Sequence, residues 1–164
     1  MMADRDAPSP GEGLRDLGLL VASMEPELSE EEYLFAAVGE GEAGFPSVAP
    51  WAVIREREAT TLILERPQAL ACGFPDGPAF RRVTLRVHSS LEAVGLTAVV
   101  ATTLARLGIS ANVVAAFFHD HIFVPAGRAD EAAAALRGLA ARGPEPSFLS
   151  PGGRIENSPS PGDR

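Results

Sequence analysis

Apolar and polar positions alternate most clearly in the second half of the chain. Val83, Leu85 and Val87 alternate with Arg82, Thr84 and Arg86, the period of a half-buried strand ending at His88. Leu96, Val99, Val100, Leu104 and Leu107 then recur at helical spacing, and Gly108 stops the run. ISANVVAAFF and HIFVP read as a hairpin with a tight turn at His119 and Asp120, ended by Pro125 and Gly127. Phe117 and Phe118 fall in its first strand, where one of them is expected in the core. Asp130 and Glu131 open a last helix, EAAAALRGLAA, where negative charge suits the N-terminal dipole. This β-α-β-β-α order is a ferredoxin-like βαββαβ unit without its final strand. A bare sheet edge pairs promiscuously, so Leu17–Met24 or a strand of the first half is expected to cover it.

The first half reads less cleanly. LGLLVASM (Leu17–Met24) predicts a short strand. Ser29, with Glu32 three residues on, fits a capping box for one helical turn. YLFAAV (Tyr33–Val38) predicts a strand, and residues 39–50 a loop. WAVIRE and TTLILE predict a hairpin turning near Glu58 and Ala59. PQALACG predicts a helical turn ended by Gly73, and Pro75–Pro78 a turn between halves. The organisation expected is a disordered N-terminus (1–13), a degenerate first unit (14–75), a second unit (80–142) and a disordered tail (143–164).

Composition narrows the function classes. An apolar content of 46% supports a real core. A formal charge of −8 argues against nucleic acid or an anionic membrane as the partner, because both need clustered Lys and Arg. The single cysteine, Cys72, gives no internal disulfide and reads as buried and inert. The N-terminus lacks an apolar h-region and no apolar run reaches ~18 residues, so a cytoplasmic protein is expected. No cofactor is implied. Gly39–Gly44 matches G-x-G-x-x-G, but Pro46 and Pro50 block the helix that should follow, and Glu40 and Glu42 would repel a pyrophosphate.

The order of elements brings all three histidines to one end of the second-half sheet. His88 ends the first strand, and His119 and His121 flank the hairpin turn. The loop Ser89–Gly95 and the start of the helix at Leu96 lie at the same end, where free N–H groups suit a carboxylate. Ser89 and Ser90 offer hydroxyls, and Glu92 and Asp120 could hold an ammonium group. Such a site suits a free amino acid. Asn112 is either a satisfied buried amide or a residue facing the ligand.

The stretch VHSSLEAVGLTAVVATTLARLGISANVVAAFFHDHIFVP resembles an ACT domain, a small ligand-binding regulatory module. It resembles in particular the tandem-ACT family that contains the CASTOR arginine sensors. The similarity spans roughly Leu14 to Arg142 and is most specific from His88 to Pro125. Trp51 and the acidic turn before the strand at Leu64 also fit, although Ala59-Thr60-Thr61 stands where the family often has Gly-Leu-Thr. The resemblance implies an α+β fold of tandem ACT-like units, with antiparallel sheets and helices on one face. It also implies an effector site at Ser89, Ser90, Leu91, Glu92, Gly95 and Leu96, with Asn112 and the turn His119, Asp120, His121 opposite. His88 joins that set from its place at the mouth of the loop.

Three functions follow. The first is a non-catalytic amino-acid-binding regulatory module. The second is a ligand-free dimerisation module, acting as a homodimer or with a protein partner. The third is a metal site of His88, His119 and His121, ranked last because no Cys lies near and no acid–base pair of clear spacing accompanies the histidines. No catalytic residue is assigned; Ser89 and Ser90 lack the surroundings of a nucleophile elbow.

Overall fold

The structure, a computed structural model, describes residues 13–39 and 49–149. The elements run α1 (Leu17–Ala22), β1 (Pro26–Val38), β2 (Ala52–Arg55), β3 (Thr60–Glu65), α2 (Arg66–Ala71), β4 (Phe80–Leu85), α3 (Leu96–Arg106), β5 (Asn112–Ala115), β6 (Asp120–Pro125), α4 (Ala129–Arg142) and a helical turn α5 (Pro146–Leu149). The six strands form one sheet in the order β2-β3-β1-β4-β6-β5, and every neighbouring pair is antiparallel.

Two ferredoxin-like strand orders are folded into this one sheet. Starting from β1, the chain lays down β4-β1-β3-β2 with α2 as the crossover into β4. Starting from β4, it lays down β1-β4-β6-β5, with α3 and α4 as its helices. The two units therefore share the central pair β1 and β4. The edge that the second unit leaves open for want of a final strand is taken by β1, Pro26 facing Leu85 and Tyr33 facing Phe80. This is the first-half strand anticipated as one way to protect that edge.

The other anticipated cover, Leu17–Met24, is not a strand. Asp16 accepts a hydrogen bond from the Leu19 N–H at 2.8 Å and caps the helix α1. Helical spacing then buries Leu20, Val21 and Met24 in a core with α3 and α4. The Ser29–Glu32 capping box is not formed either. Those residues lie inside β1, where the register shifts between Leu28 and Glu32. The Ser29 hydroxyl that would cap a helix accepts instead from the Arg82 backbone N–H at 3.2 Å, and the Arg81 guanidinium donates to the Ser29 carbonyl at 2.9 and 2.6 Å. Pairing with β4 outweighs the local helix signal.

All helices cover one face. Val83 and Leu85 of β4, with Ile122 and Val124 of β6, meet α1, α3 and α4, and Leu34, Leu62 and Leu64 meet Ala69 of α2. Among the described residues no helix covers the opposite face, yet Tyr33, Ile63 and Phe123 are buried there against Trp51 and Phe80. Phe123 makes edge-to-face contacts with Tyr33, Phe35 and Trp51 at 5.4, 5.5 and 4.9 Å.

Three further expectations change. The hairpin pairs Ala115 with Asp120, and the Ala116 N–H donates to the His119 carbonyl at 3.2 Å. Its tip is therefore Phe117-Phe118, two residues earlier than expected, and both rings are partly exposed rather than in the core. Cys72 is half-buried at the end of α2, a free thiol. Residues 143–149 are not a structureless tail: Phe148 of α5 packs against the main core and Glu145 pairs with Arg106. Residues 1–12, and the G-x-G-x-x-G segment beyond Gly39, lie outside the described residues.

Candidate functional site

Beyond β4 the buried Val87 leads into the loop His88–Gly95, which is held by the chain's own N-terminal segment. The Leu14 N–H donates to the His88 carbonyl and the Ser90 N–H donates to the Leu14 carbonyl, both at 3.0 Å, so Leu14 and Ser89 form a parallel bridge. Arg15 pairs with Glu92. Glycine is needed at both contacts. A Cβ on Gly13 would sit 2.3 Å from the Ser90 nitrogen, and one on Gly95 would sit 2.9 Å from a Leu17 methyl. Gly95 also holds φ at +104°, a left-handed conformation, as it turns the chain into α3. Two of the residues expected to face a ligand, Ser90 and Glu92, are thus already engaged, Ser90 through its backbone N–H and Glu92 through its carboxylate.

Beneath the loop, Asp120 of β6 is 9% exposed and Ser90 3%. The Ser89 hydroxyl donates to Asp120 Oδ2 at 3.1 Å. Burial raises the Asp120 carboxyl above its ordinary range, partly offset by the Ser89 hydrogen bond and by His119. Nε2 of His88 is buried with no hydrogen-bond partner among the described residues, and its ring leans on Phe118 at 5.7 Å. Leu96 opens α3 and is buried, whereas Leu91 is exposed.

The rest of the expected set is divided between faces, because successive strand residues point to opposite sides. Asp120 faces the helices with Leu85, whereas its neighbour His121 lies opposite Thr84 on the helix-free face. There the Thr84 hydroxyl and His121 Nδ1 are 3.0 Å apart, and the ring meets Trp51 edge-on at 4.9 Å. Burial, then the positive charge of Arg82, then His119, lower the His121 pKa from 6.5 to about 4. Nδ1 of His119 reaches the Val87 carbonyl at 3.3 Å, and His119 and His121 line one cavity of about 340 Å³ on this face. Asn112 sits at the far end of the hairpin, opposite Phe123, where its amide donates to the Phe123 carbonyl at 3.3 Å. Among the described residues, no three His, Cys, Asp or Glu side chains gather as a metal site, so His88, His119 and His121 do not form one.

Sequence reasoning passed over Arg82. Its guanidinium lies 5.5 Å from the Tyr33 ring and 5.3 Å from that of Trp51. Its place on the polar side of an alternating strand was the available signal; its nearness to Trp51, 31 positions earlier, was not.

Comparison with known proteins gives this arrangement a context. A Vibrio cholerae protein of unknown function, named as a possible transport protein, is 49% identical over 74% of this chain and 92% of its own, with a TM-score of 0.67. An Agrobacterium tumefaciens protein shares the fold at 17% identity and a TM-score of 0.55, over 67% of this chain and 84% of its own. The regulatory subunit of aspartate kinase from Thermus flavus shares it at 12% identity and a TM-score of 0.51, over 70% of this chain and 95% of its own. No curated protein matches the chain. Among the described residues no helix is long and apolar enough to cross a membrane. Residues 12–81 match one ACT domain family and residues 81–138 match another. With two such domains in tandem on one continuous sheet, the chain belongs to the ACT domain proteins.

Proposed function

We propose that this chain is a non-catalytic regulatory protein of the tandem-ACT kind that includes the CASTOR sensors, and that it binds a free amino acid at the end of β4. In this reading residues 14–75 form a first unit and 80–142 a second, and the second carries the site. The observation that supports it best is Asp120. A buried carboxylate held by one hydroxyl, with no cationic partner among the described residues, is costly. A ligand ammonium group relieves that cost, and the N–H groups at the start of α3 offer a place for the ligand carboxylate. The Gly13–Leu17 segment lies over the loop, so it must either shift on binding or form part of the site.

A thermal-shift screen of the free amino acids, with EDTA present, tests the reading. Ligand at ~100 times its dissociation constant adds about 2.7 kcal/mol, a rise of several degrees. The response should be selective and should disappear in Asp120→Asn and weaken in Ser89→Ala. A response untouched by either variant, or none at millimolar ligand, overturns it. The second reading, a ligand-free dimerisation module, is favoured by the edge strand β2, where Val53 and Ile54 are exposed. It predicts a dimer by light scattering and no stabilisation by any metabolite.

A further inference from the structure

The helix-free face holds a charged group that the amino-acid site does not use. Arg82 projects from β4 between the rings of Tyr33 and Trp51. Its backbone N–H is satisfied by Ser29, but Nε is buried with no partner, and its guanidinium makes no ion pair or hydrogen bond among the described residues. The other arginine beside it, Arg86, is neutralised by Glu27 at 2.8 Å. One positive charge thus remains uncompensated at the wall of the 340 Å³ cavity. A half-buried guanidinium left in this state is costly, and its planar fork is matched to an oxyanion.

The other groups lining the cavity are suited to the same ligand. The Thr84 hydroxyl and His121 Nδ1 satisfy each other at 3.0 Å. If the hydroxyl donates, His121 Nε2 carries the proton and becomes a second donor. Burial and the neighbouring Arg82 keep that ring neutral at physiological pH, so it donates without adding charge. The Tyr33 and Trp51 rings lie 5.5 and 5.3 Å from the guanidinium carbon, so cation–π contact holds the group in place without using its N–H donors.

We propose that this face is a second binding site, distinct from the one at Asp120, for a small molecule bearing a carboxylate or phosphate that docks on Arg82. The site lies on the opposite side of the sheet from Asp120, so a single ACT tandem can read two ligands. It needs neither the loop His88–Gly95 nor the N-terminal segment that covers it.

Trp51 is the chain's only tryptophan and stands against both Arg82 and His121, so its emission reports on this site directly. The full-length chain is titrated with succinate, with inorganic phosphate and with sodium chloride at matched ionic strength, and binding is measured in parallel by calorimetry. A saturable response to succinate or phosphate but not to chloride is expected, and the stronger of the two identifies the oxyanion. Arg82→Met should weaken it at least tenfold, and Arg82→Lys, which keeps the charge but loses the fork, several-fold. Asp120→Asn should leave it unchanged while abolishing the amino-acid response, so the two sites fail separately. Absence of binding by both methods, an equal response to chloride, or an undiminished response in a folded Arg82→Met or Arg82→Lys protein overturns the proposal.

Discussion

Replacing His121 with glutamine should remove one component of the pH dependence of stability. The ring is half-buried on the helix-free face and faces Arg82, His119, Thr84 and Trp51. It takes up a proton near pH 6.5 in the unfolded chain and only near pH 4 in the folded one. Between those values the unfolded state binds more protons, so the folded state loses stability as pH falls from 6.5 towards 4 and loses no more below that. The full displacement corresponds to about 3.4 kcal/mol. Because the ring is only half-buried, solvent screens part of this, and an amplitude of about 1 to 2 kcal/mol is expected. Urea unfolding of the wild type and of His121→Gln at half-unit steps from pH 7 to 3.5 measures it. Carboxylates titrate in both proteins and cancel in the difference. A wild-type minus variant difference that falls by this amount across the window supports the reasoning. A difference that stays flat, or one that grows as pH falls, refutes it.

Other perturbations test the packing and the loop. Asp120→Asn should stabilise the ligand-free protein at pH 7. Burial raises this carboxyl, so its ionised form weakens the native state once pH exceeds the unfolded value, and the gain should vanish below pH 4 in the same urea assay. Phe123→Ala, which empties a fully buried ring site, should cost about 3 to 5 kcal/mol and shift Trp51 emission. Gly95→Ala and Gly73→Ala both put a side chain at positive φ, but only the first also meets Leu17; each should cost about 1 kcal/mol from backbone strain, with a larger loss at Gly95 in thermal melts. Arg66→Ala breaks exposed pairs with Glu32 and Asp76 and should cost no more than about 1 kcal/mol, less at high salt.

Much of the fold was legible because its signals are local. The alternation Val83, Leu85, Val87 and the spacing Leu96 to Leu104 each define an apolar face within one element, and Gly73 and Gly108 end helical runs through a left-handed residue. The amphipathic helix α4 was legible for the same reason. At the site, the proximity of Ser89 and Asp120 followed from the split βαβ order, which places the end of the first strand beside the hairpin. The helix α1 was misread, although Asp16 before an apolar run was its signal.

What the sequence by itself determined is the set of elements in the second half, their apolar faces and the resemblance to an ACT domain. All of these depend on neighbours within a few residues. Only the tertiary structure decided that β1 completes the second unit, that Ser29–Glu32 lies in a strand at a shift of register, and that the hairpin turns at Phe117-Phe118. Register and pairing are set by hydrogen bonds between segments far apart in the chain, and a small change in turn position alters which residues lie opposite one another. Because the turn falls before them, Asp120 and His121, neighbours in sequence and read as one site, both lie in a regular strand and stand on opposite faces of the sheet. Pairing between distant segments is also why Arg82, an unremarked polar position in a strand, stands between two aromatic rings at the wall of a cavity.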